Sequence, residues 1–236
     1  MTIGTLYIVA TPIGNLEDIT VRAAKLLTTI GVVACEDTRH SGILLDHLRK
    51  TYVQNFEHAP KPRLLSFYDD NEEQRIPEII EILKSGQDVA LVSDAGTPGV
   101  SDPGFTLVRE CRSQGIPVTG LPGPSAVILA LILSGLPTDK FTFYGYLPKK
   151  EGNATKLLEN IKQSQELVKT TAIFYEAPHK VVQSLQLLLS VLGDKEIILA
   201  RELTKMHEEV AKGTISSFLK KYAVQEPRGE FVLLFA

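Results

Sequence analysis

Val89-Ala90-Leu91-Val92 runs directly into SDAGTPGVSDPG, Ser93 to Gly104. Four consecutive apolar residues read as a strand buried on both faces, the signature of a parallel sheet covered by helices. The twelve residues that follow hold three glycines and two prolines, too many for an ordinary surface turn. Gly96, Gly99 and Gly104 let backbone approach a ligand without a Cβ in the way. Pro98 and Pro103 stiffen the segment and remove N–H groups that would need partners. Asp94 and Asp102 put carboxyl groups at the carboxyl end of a strand, where open α/β sheets bind ligands. The segment is either a ligand cradle or a long connecting loop, and structureless loops of this length usually carry function.

Outward from this junction, the first half alternates strands and helices. Strands are expected at Leu6–Ala10, Val32–Cys35, Leu64–Phe67, Asp88–Ser93 and Pro117–Thr119, and helices at Thr20–Ile30, from EDTRHSG to about Leu48, Glu72–Leu83 and Phe105–Ser113. Pro77 should lie in a first turn or kink its helix. This βαβα succession predicts a parallel sheet with helices on its faces. Four strands end in distinctive loops, PIGN, CEDTRHSG, SFYDDNE and SDAGTPGVSDPG, which should converge on one rim. The second half is less regular. PGPSA (Pro122–Ala126) opens an apolar helix to about Ser134. Strands follow at Phe141–Tyr146, Thr171–Tyr175, Ile197–Arg201 and Phe231–Phe235, some of them antiparallel, with helices near 154–164, 180–192 and 215–222. The Gly/Pro density near Thr119–Pro124 suggests two domains, residues 1–120 and 121–236.

Composition narrows the class. The chain has 236 residues, 44% of them hydrophobic and 22% charged, with a net charge of −3. No apolar run is long enough to span a bilayer, and no basic signal-peptide region precedes the first strand. Cys35 and Cys111 form neither a disulfide framework nor a metal spacing. His40, His47, His58, His179 and His207 show no ligand spacing, so no metal is expected. These features suit a cytoplasmic protein with reduced, buried thiols. Residues 1–118 carry 11 Lys and Arg against 16 Asp and Glu, and residues 119–236 carry 14 against 12. Lys149, Lys150, Lys156, Lys162, Lys220, Lys221 and Arg228 form either a local basic patch or a solvated face. GxGxxG after the first strand, a P-loop, a GxSxG elbow and HExxH are all absent, removing the common dinucleotide, nucleotide-triphosphate, α/β-hydrolase and zinc-protease readings.

Several clusters carry chemistry. EDTRHSG packs Glu36, Asp37, Arg39 and His40 into five residues, fitting substrate binding, proton transfer or an acidic helix start. LPGPSAV sets Ser125 near a helix N-terminus, as an N-cap or beside a ligand. PIGN brings Gly14 and Asn15 to the rim, unless it is merely a turn. SFYDDNE offers Tyr68 and Asn71 for stacking or polar recognition, though Tyr68 also reads as a half-buried packing residue. FYEAPHK contains Glu176 and His179 as acid–base candidates, with helix capping by Glu176 as the competing account. ARELTK ends a strand with charged and hydroxyl groups, and Arg201 and Glu202 should face opposite ways.

Taken together, VATPIGNLEDIT, CEDTRHSG, SDAGTPGVSDPG, LPGPSAV, FYEAPHK and ARELTK closely resemble the ribosomal RNA small subunit methyltransferase I family, 16S rRNA cytidine 2′-O-methyltransferases within the tetrapyrrole methylases. The resemblance runs from about Leu6 to Phe235, in the family's order of motifs. It implies a two-domain α/β tetrapyrrole-methylase fold: a parallel-sheet N-terminal domain, a mixed-sheet C-terminal domain, and S-adenosylmethionine in the cleft between them. It further implies 16S rRNA as the substrate and a homodimer; the acidic overall balance favours an assembled small subunit over bare RNA as the target, and the short apolar runs speak against a membrane. By motif, Asp94, Thr97, Pro98 and Val100 should line the cofactor site, met by Ser125 and Ala126. Tyr175, Leu203 and Phe231 join them by their positions at strand ends. Pro12, Gly14 and Asn15 should face the methyl group. Glu36, Asp37, Arg39, Glu176 and Lys205 are assigned to the substrate and catalytic side, with the identity of any base left open. One departure stands out: SFYDDNE occupies the place of a frequent SxHxxNE, so Tyr68 alters a substrate contact.

Overall fold

A computed structural model describes residues 2–54 and 60–236; His58 lies outside the described residues. The chain divides into two contiguous compact units, Met1–Ser125 and Ala126–Ala236.

The first unit is a five-stranded, wholly parallel sheet. Its strands are β1 (Leu6–Val9), β2 (Val32–Cys35), β3 (Arg63–Ser66), β4 (Val89–Val92) and β5 (Val118–Leu121), in the order β3-β2-β4-β1-β5. β2 and β4 are buried at every position, as strands covered on both faces must be. Helices α1 (Val21–Thr29) and α2 (Thr38–Tyr52) cover one face, packing Ala23, Leu27, Leu45 and Leu48 on Val9, Val33 and Val92. Helices α3 (Glu72–Lys84) and α4 (Phe105–Ser113) cover the other, packing Ile79, Leu83 and Leu107 on Leu6, Val89 and Leu91. Thr20 caps α1 through a hydrogen bond from the Ala23 N–H.

Two expectations, for the end of α2 and for Tyr68, are corrected here, and the first-turn alternative for Pro77 is removed. Pro77 stands in the interior of α3, past its first turn, and the helix continues to Lys84. Its side chain is exposed, which leaves water free to solvate the carbonyl that its missing N–H abandons. Helix α2 runs one further turn beyond Leu48, because its last turn carries Arg49 and Lys50, which suit a helix C-terminus. Tyr68 is exposed rather than half-buried, since its backbone N–H is held by Asn71 Oδ1 at 2.8 Å in a tight turn outside the sheet.

The second unit opens with α5 (Ala126–Leu133), which packs on its sheet. Strands β6 (Phe141–Tyr146), β7 (Thr171–Glu176), β8 (Glu196–Arg201), β9 (Glu209–Thr214) and β10 (Phe231–Phe235) are ordered β6-β7-β10-β8-β9. β6 and β7 run parallel, and every other pair is antiparallel. Helices α6 (Glu151–Leu167), α7 (Val181–Leu192) and α8 (Ile215–Val224) bury Leu158, Leu185 and Phe218 against Phe174, Leu199, Leu233 and Phe235. β9 is absent from the sequence expectations. Its EVAKGT sequence has little strand propensity, and as an edge strand it is held by β8 and carries charge, with Lys212 paired to Glu196 at 2.8 Å.

Candidate active site

Because the first sheet is wholly parallel, the loops after β1, β2, β3, β4 and β5 all leave from one edge, where ligands of open α/β sheets bind. The loop after β1 is stitched to the Gly/Pro segment by a two-way backbone bridge, Thr11 N–H to Gly96 O at 2.8 Å and Gly96 N–H to Thr11 O at 3.1 Å. Thr11 Oγ1 donates to Ser93 O at 3.1 Å. Thr97 Oγ1 donates to Pro124 O at 3.2 Å, tying in the loop after β5. Pro12, Gly14, Asn15, Asp94, Thr97, Pro98, Val100 and Ser125 therefore belong to three loops of one edge.

The glycines do what their positions demand. Gly96 and Gly99 have φ of 87° and 81°, in the left-handed region that side chains avoid. A Cβ on Gly104, at φ 134°, would lie 2.7 Å from Leu91 Cδ2. The segment thus folds tightly back over β4, with its end pinned by a Gly104 N–H bond to Glu72 Oε1 at 3.2 Å.

The loop after β2 joins the same edge through Asp94. Its Oδ1 accepts the Asp37 N–H at 3.1 Å, and its Oδ2 lies 3.2 Å from His40 Nδ1. Asp37 is the N-cap of α2, accepting from the Arg39 N–H at 2.8 Å, and its Oδ2 meets Arg39 Nη2 at 2.6 Å. These bonds, the Arg39 guanidinium first, hold the Asp37 carboxyl well below the usual range. Burial and then the nearby Asp94 raise Glu36. Asp102 is pushed up to about 6 by burial, with Glu36 and Asp94 adding to it and a Ser93 hydrogen bond opposing. Among the described residues, no group of three or more His, Cys, Asp or Glu is placed to hold a metal ion.

The second unit, taken by itself, carries another set of candidates. Glu176 ends β7, is only 4% exposed, and accepts from Ser184 Oγ at 2.9 Å. Burial pushes it up to about 7. It reaches the side chain of α7 and caps no helix. Lys205 bonds Glu202 Oε1 at 3.0 Å and Glu230 Oε2 at 2.8 Å. Burial lowers the lysine, but the two carboxylates outweigh it and hold it raised. Glu202 lies just past β8, so it and Arg201 take different partners, Lys205 and Glu209 respectively. Tyr175 is half-buried, edge-on to Phe143 and Tyr146. Leu203 is buried just past the end of β8, and Phe231 is a core residue packed edge-on against Tyr222. Ala126 is the first residue of α5.

One feature escaped the sequence reading. Glu202 and Thr204 both have positive φ, 50° and 66°, an arrangement that stores strain in residues with a Cβ. Thr204 Oγ1 is buried and has no hydrogen-bond partner among the described residues. Nothing in ARELTK as a string reveals either the positive φ or the unpartnered hydroxyl of Thr204.

The family described as Tetrapyrrole (Corrin/Porphyrin) Methylases matches residues 5–219. A protein of Thermotoga maritima named ribosomal RNA small subunit methyltransferase I is 42% identical over 233 residues, covering 99% of this chain and 98% of that protein.

The chain belongs to this methyltransferase family.

Proteins of the same name from Vibrio cholerae and Escherichia coli O157:H7 are 46% and 44% identical, over 97% and 98% of this chain and 76% and 77% of theirs. In fold, the chain is similar to the uroporphyrin-III-C-methyltransferase of Thermus thermophilus, with a TM-score of 0.63, 20% identity, and coverage of 98% and 94%. A cobalt precorrin-4 methyltransferase gives the same TM-score at 16% identity, again covering 98% and 94%. The two-domain tetrapyrrole-methylase architecture, parallel sheet first and mixed sheet second, is therefore the fold of this family member.

Proposed function

We propose that this chain is an S-adenosylmethionine-dependent methyltransferase acting on the 2′-oxygen of a cytidine ribose in 16S rRNA of the small ribosomal subunit. The observation that carries this reading is near full-length identity of 42–46% to proteins named for small-subunit rRNA methylation, together with a loop edge built for a ligand.

S-adenosylmethionine supplies a methyl group activated by a sulfonium. The loops fit such a molecule. Gly96 and Gly99 expose backbone at close range and Asp94 offers a carboxyl. Taken by itself, the second unit holds a buried Thr204 hydroxyl, next in sequence to Leu203, that lacks a protein partner among the described residues. Asp94, Thr97, Pro98, Val100 and Ser125 bind the cofactor on the first unit, with Pro12, Gly14 and Asn15 toward the transferred group. Ala126, Tyr175 and Leu203 are the second unit's candidates for the same cofactor, whereas Phe231, buried in that unit's core, is not among them.

The protein's main work is alignment of the ribose oxygen, since orientation alone removes much of a barrier of this kind. Glu36, Asp37, Arg39, Glu176 and Lys205 act on the RNA side. Glu36 suits proton removal, because its raised carboxyl holds a proton more readily than an ordinary glutamate. The exposed Arg39 suits a phosphate. The enzyme works in the cytoplasm as a homodimer, and the exposed Ile128, Ile132 and Leu133 of α5 support an apolar contact face. Among the described residues, no helix is long and apolar enough to cross a membrane.

The test is ribose-methylation mapping of small subunits from cells lacking the gene, incubated with the purified chain and S-adenosylmethionine. One new 2′-O-methylcytidine in 16S rRNA is expected. Absence of any new methyl group, or its appearance on a base, overturns the reading.

A further inference from the structure

Helices α3 and α4 leave between them a groove of about 390 Å³, wholly within the first unit. Its floor is apolar, made by the buried Ile76 and Ile80 with the exposed ring of Pro77 beside them. Its rim is acidic. Glu73 and Glu81 stand on α3 and Glu110 on α4, against one ammonium among the lining residues, that of Lys84. Positions 73, 77 and 81 are four apart, so they form one stripe along α3, with the two carboxylates about 12 Å apart along its axis.

These carboxylates have no cation of their own. Arg63 and Arg75 are both taken by Glu78, and Glu110 is met by the neutral amide of Gln114. Among the described residues, Glu73, Glu81 and Glu110 make no ion pair. Pro77 adds a backbone acceptor: it has no N–H, so the Glu73 carbonyl one turn earlier is without its helical donor. A trough with an apolar floor and a negative rim repels the phosphates of a nucleic acid. What complements it is a peptide segment whose cations flank apolar side chains. An arginine suits the wall best, since its guanidinium has donors enough for a carboxylate and the Glu73 carbonyl together.

We propose that this groove docks a basic, amphipathic segment of a protein of the small ribosomal subunit, its apolar side chains on Ile76, Pro77 and Ile80 and its cations on Glu73, Glu81 and Glu110. The small subunit as the source of that segment rests on the function proposed above. Residues 1–118 carry 16 Asp and Glu against 11 Lys and Arg, so this half of the chain gains nothing from bare RNA. Proteins that neutralise a polyanion carry cations, and a negative rim steers such segments toward the groove.

Gln114→benzoylphenylalanine, a photoreactive substitution at an exposed position of the groove wall, tests this in the full chain with purified small subunits. Irradiation should join it to a Lys- or Arg-rich segment of a subunit protein, identified by mass spectrometry. Adding Glu73→Lys and Glu81→Lys should abolish that cross-link and weaken subunit binding about tenfold, the sum of two exposed attractions turned to repulsions. Melting temperature and S-adenosylmethionine affinity should stay as in the parent chain. The pair Glu73→Gln and Glu81→Gln adds no repulsion, should weaken binding about threefold, and decides the matter if the reversed variant melts early. Cross-linking to rRNA, to a second copy of this chain or to nothing overturns the docking site, as does undiminished subunit binding by the folded variants. Methyl transfer to the same subunits is followed in parallel. Methylation without the protein cross-link removes only the docking site, the cross-link without methylation removes only the proposed function, and absence of both removes both.

Discussion

Asp94 Oδ1 accepts the backbone N–H of Asp37 at 3.1 Å, bridging 57 residues of sequence. The same carboxyl approaches His40 through its other oxygen, so one side chain ties the loop after β4 to the start of α2. A residue assigned to the cofactor and the residues assigned to RNA are thereby held in one rigid arrangement.

Asp94→Ala should weaken S-adenosylmethionine binding at least tenfold while lowering stability by about 1 kcal/mol, the usual worth of one hydrogen bond. Calorimetry and urea unfolding measure the two effects. Asp94→Asn retains an acceptor for the Asp37 N–H and should recover the stability but not the affinity. Normal cofactor affinity in both variants would remove Asp94 from the site.

Arg39 reaches into solvent from the α2 N-terminus, 85% exposed, and its only described side-chain partner is Asp37. Arg39→Ala should therefore leave cofactor affinity and melting temperature unchanged and reduce subunit methylation about tenfold, as loss of a charged phosphate contact does. A fall in cofactor affinity would contradict the division of roles.

Glu176 gives stability a pH dependence of definite sign. Its carboxyl is raised from 4.5 to about 7 in the folded chain, so the folded state keeps a proton that the unfolded state releases. Stability should fall as pH rises from about 4.5 to about 7 and level off above, the total loss being about 3 kcal/mol. Glu176→Gln should melt higher than the wild type at pH 8 and show little advantage at pH 4.5. A constant difference across that window would show that the carboxyl titrates normally.

Gly104→Ala should destabilise the chain by about 2 kcal/mol, because it combines a positive φ with a new methyl against Leu91. Gly31→Ala is the control, since no atom lies within 4 Å of its Cβ position. Chemical unfolding of the pair separates backbone strain from the general effect of replacing glycine.

Thr204→Val removes the unpartnered buried hydroxyl and keeps the branched shape. The free chain should gain about 1 kcal/mol, and S-adenosylmethionine affinity should drop several-fold. Unchanged cofactor affinity would show that the hydroxyl serves no ligand.

The first unit was readable because its strands are short, fully apolar runs punctuated by glycine and proline, and burial on both faces writes itself into composition. The convergence of PIGN, EDTRHSG and SDAGTPGVSDPG followed from parallel strands alone. Their mutual locking did not: the Thr11–Gly96 bridge and the Asp94–Asp37 bond join positions far apart in the chain, and no local pattern encodes either. β9 escaped because an edge strand need satisfy only one neighbour and can be polar. Thr204 escaped because a left-handed φ in a threonine is imposed by the surrounding chain. The resemblance named the residues at strand ends; packing in three dimensions distinguishes Phe231, sunk in the core, from Tyr175, which keeps part of its ring accessible.

β10 has a consequence for biosynthesis. Phe231–Phe235 is the last strand in chain order yet lies at the middle of its sheet, between β7 and β8. Until residue 235 clears the ribosomal tunnel, the β6-β7 pair and the β8-β9 hairpin have no strand to join them. The first unit, whose strands are all made by Leu121, can close much earlier. A nascent chain would thus carry one finished half while exposing the greasy faces of the other, and that interval is when a chaperone has most to do.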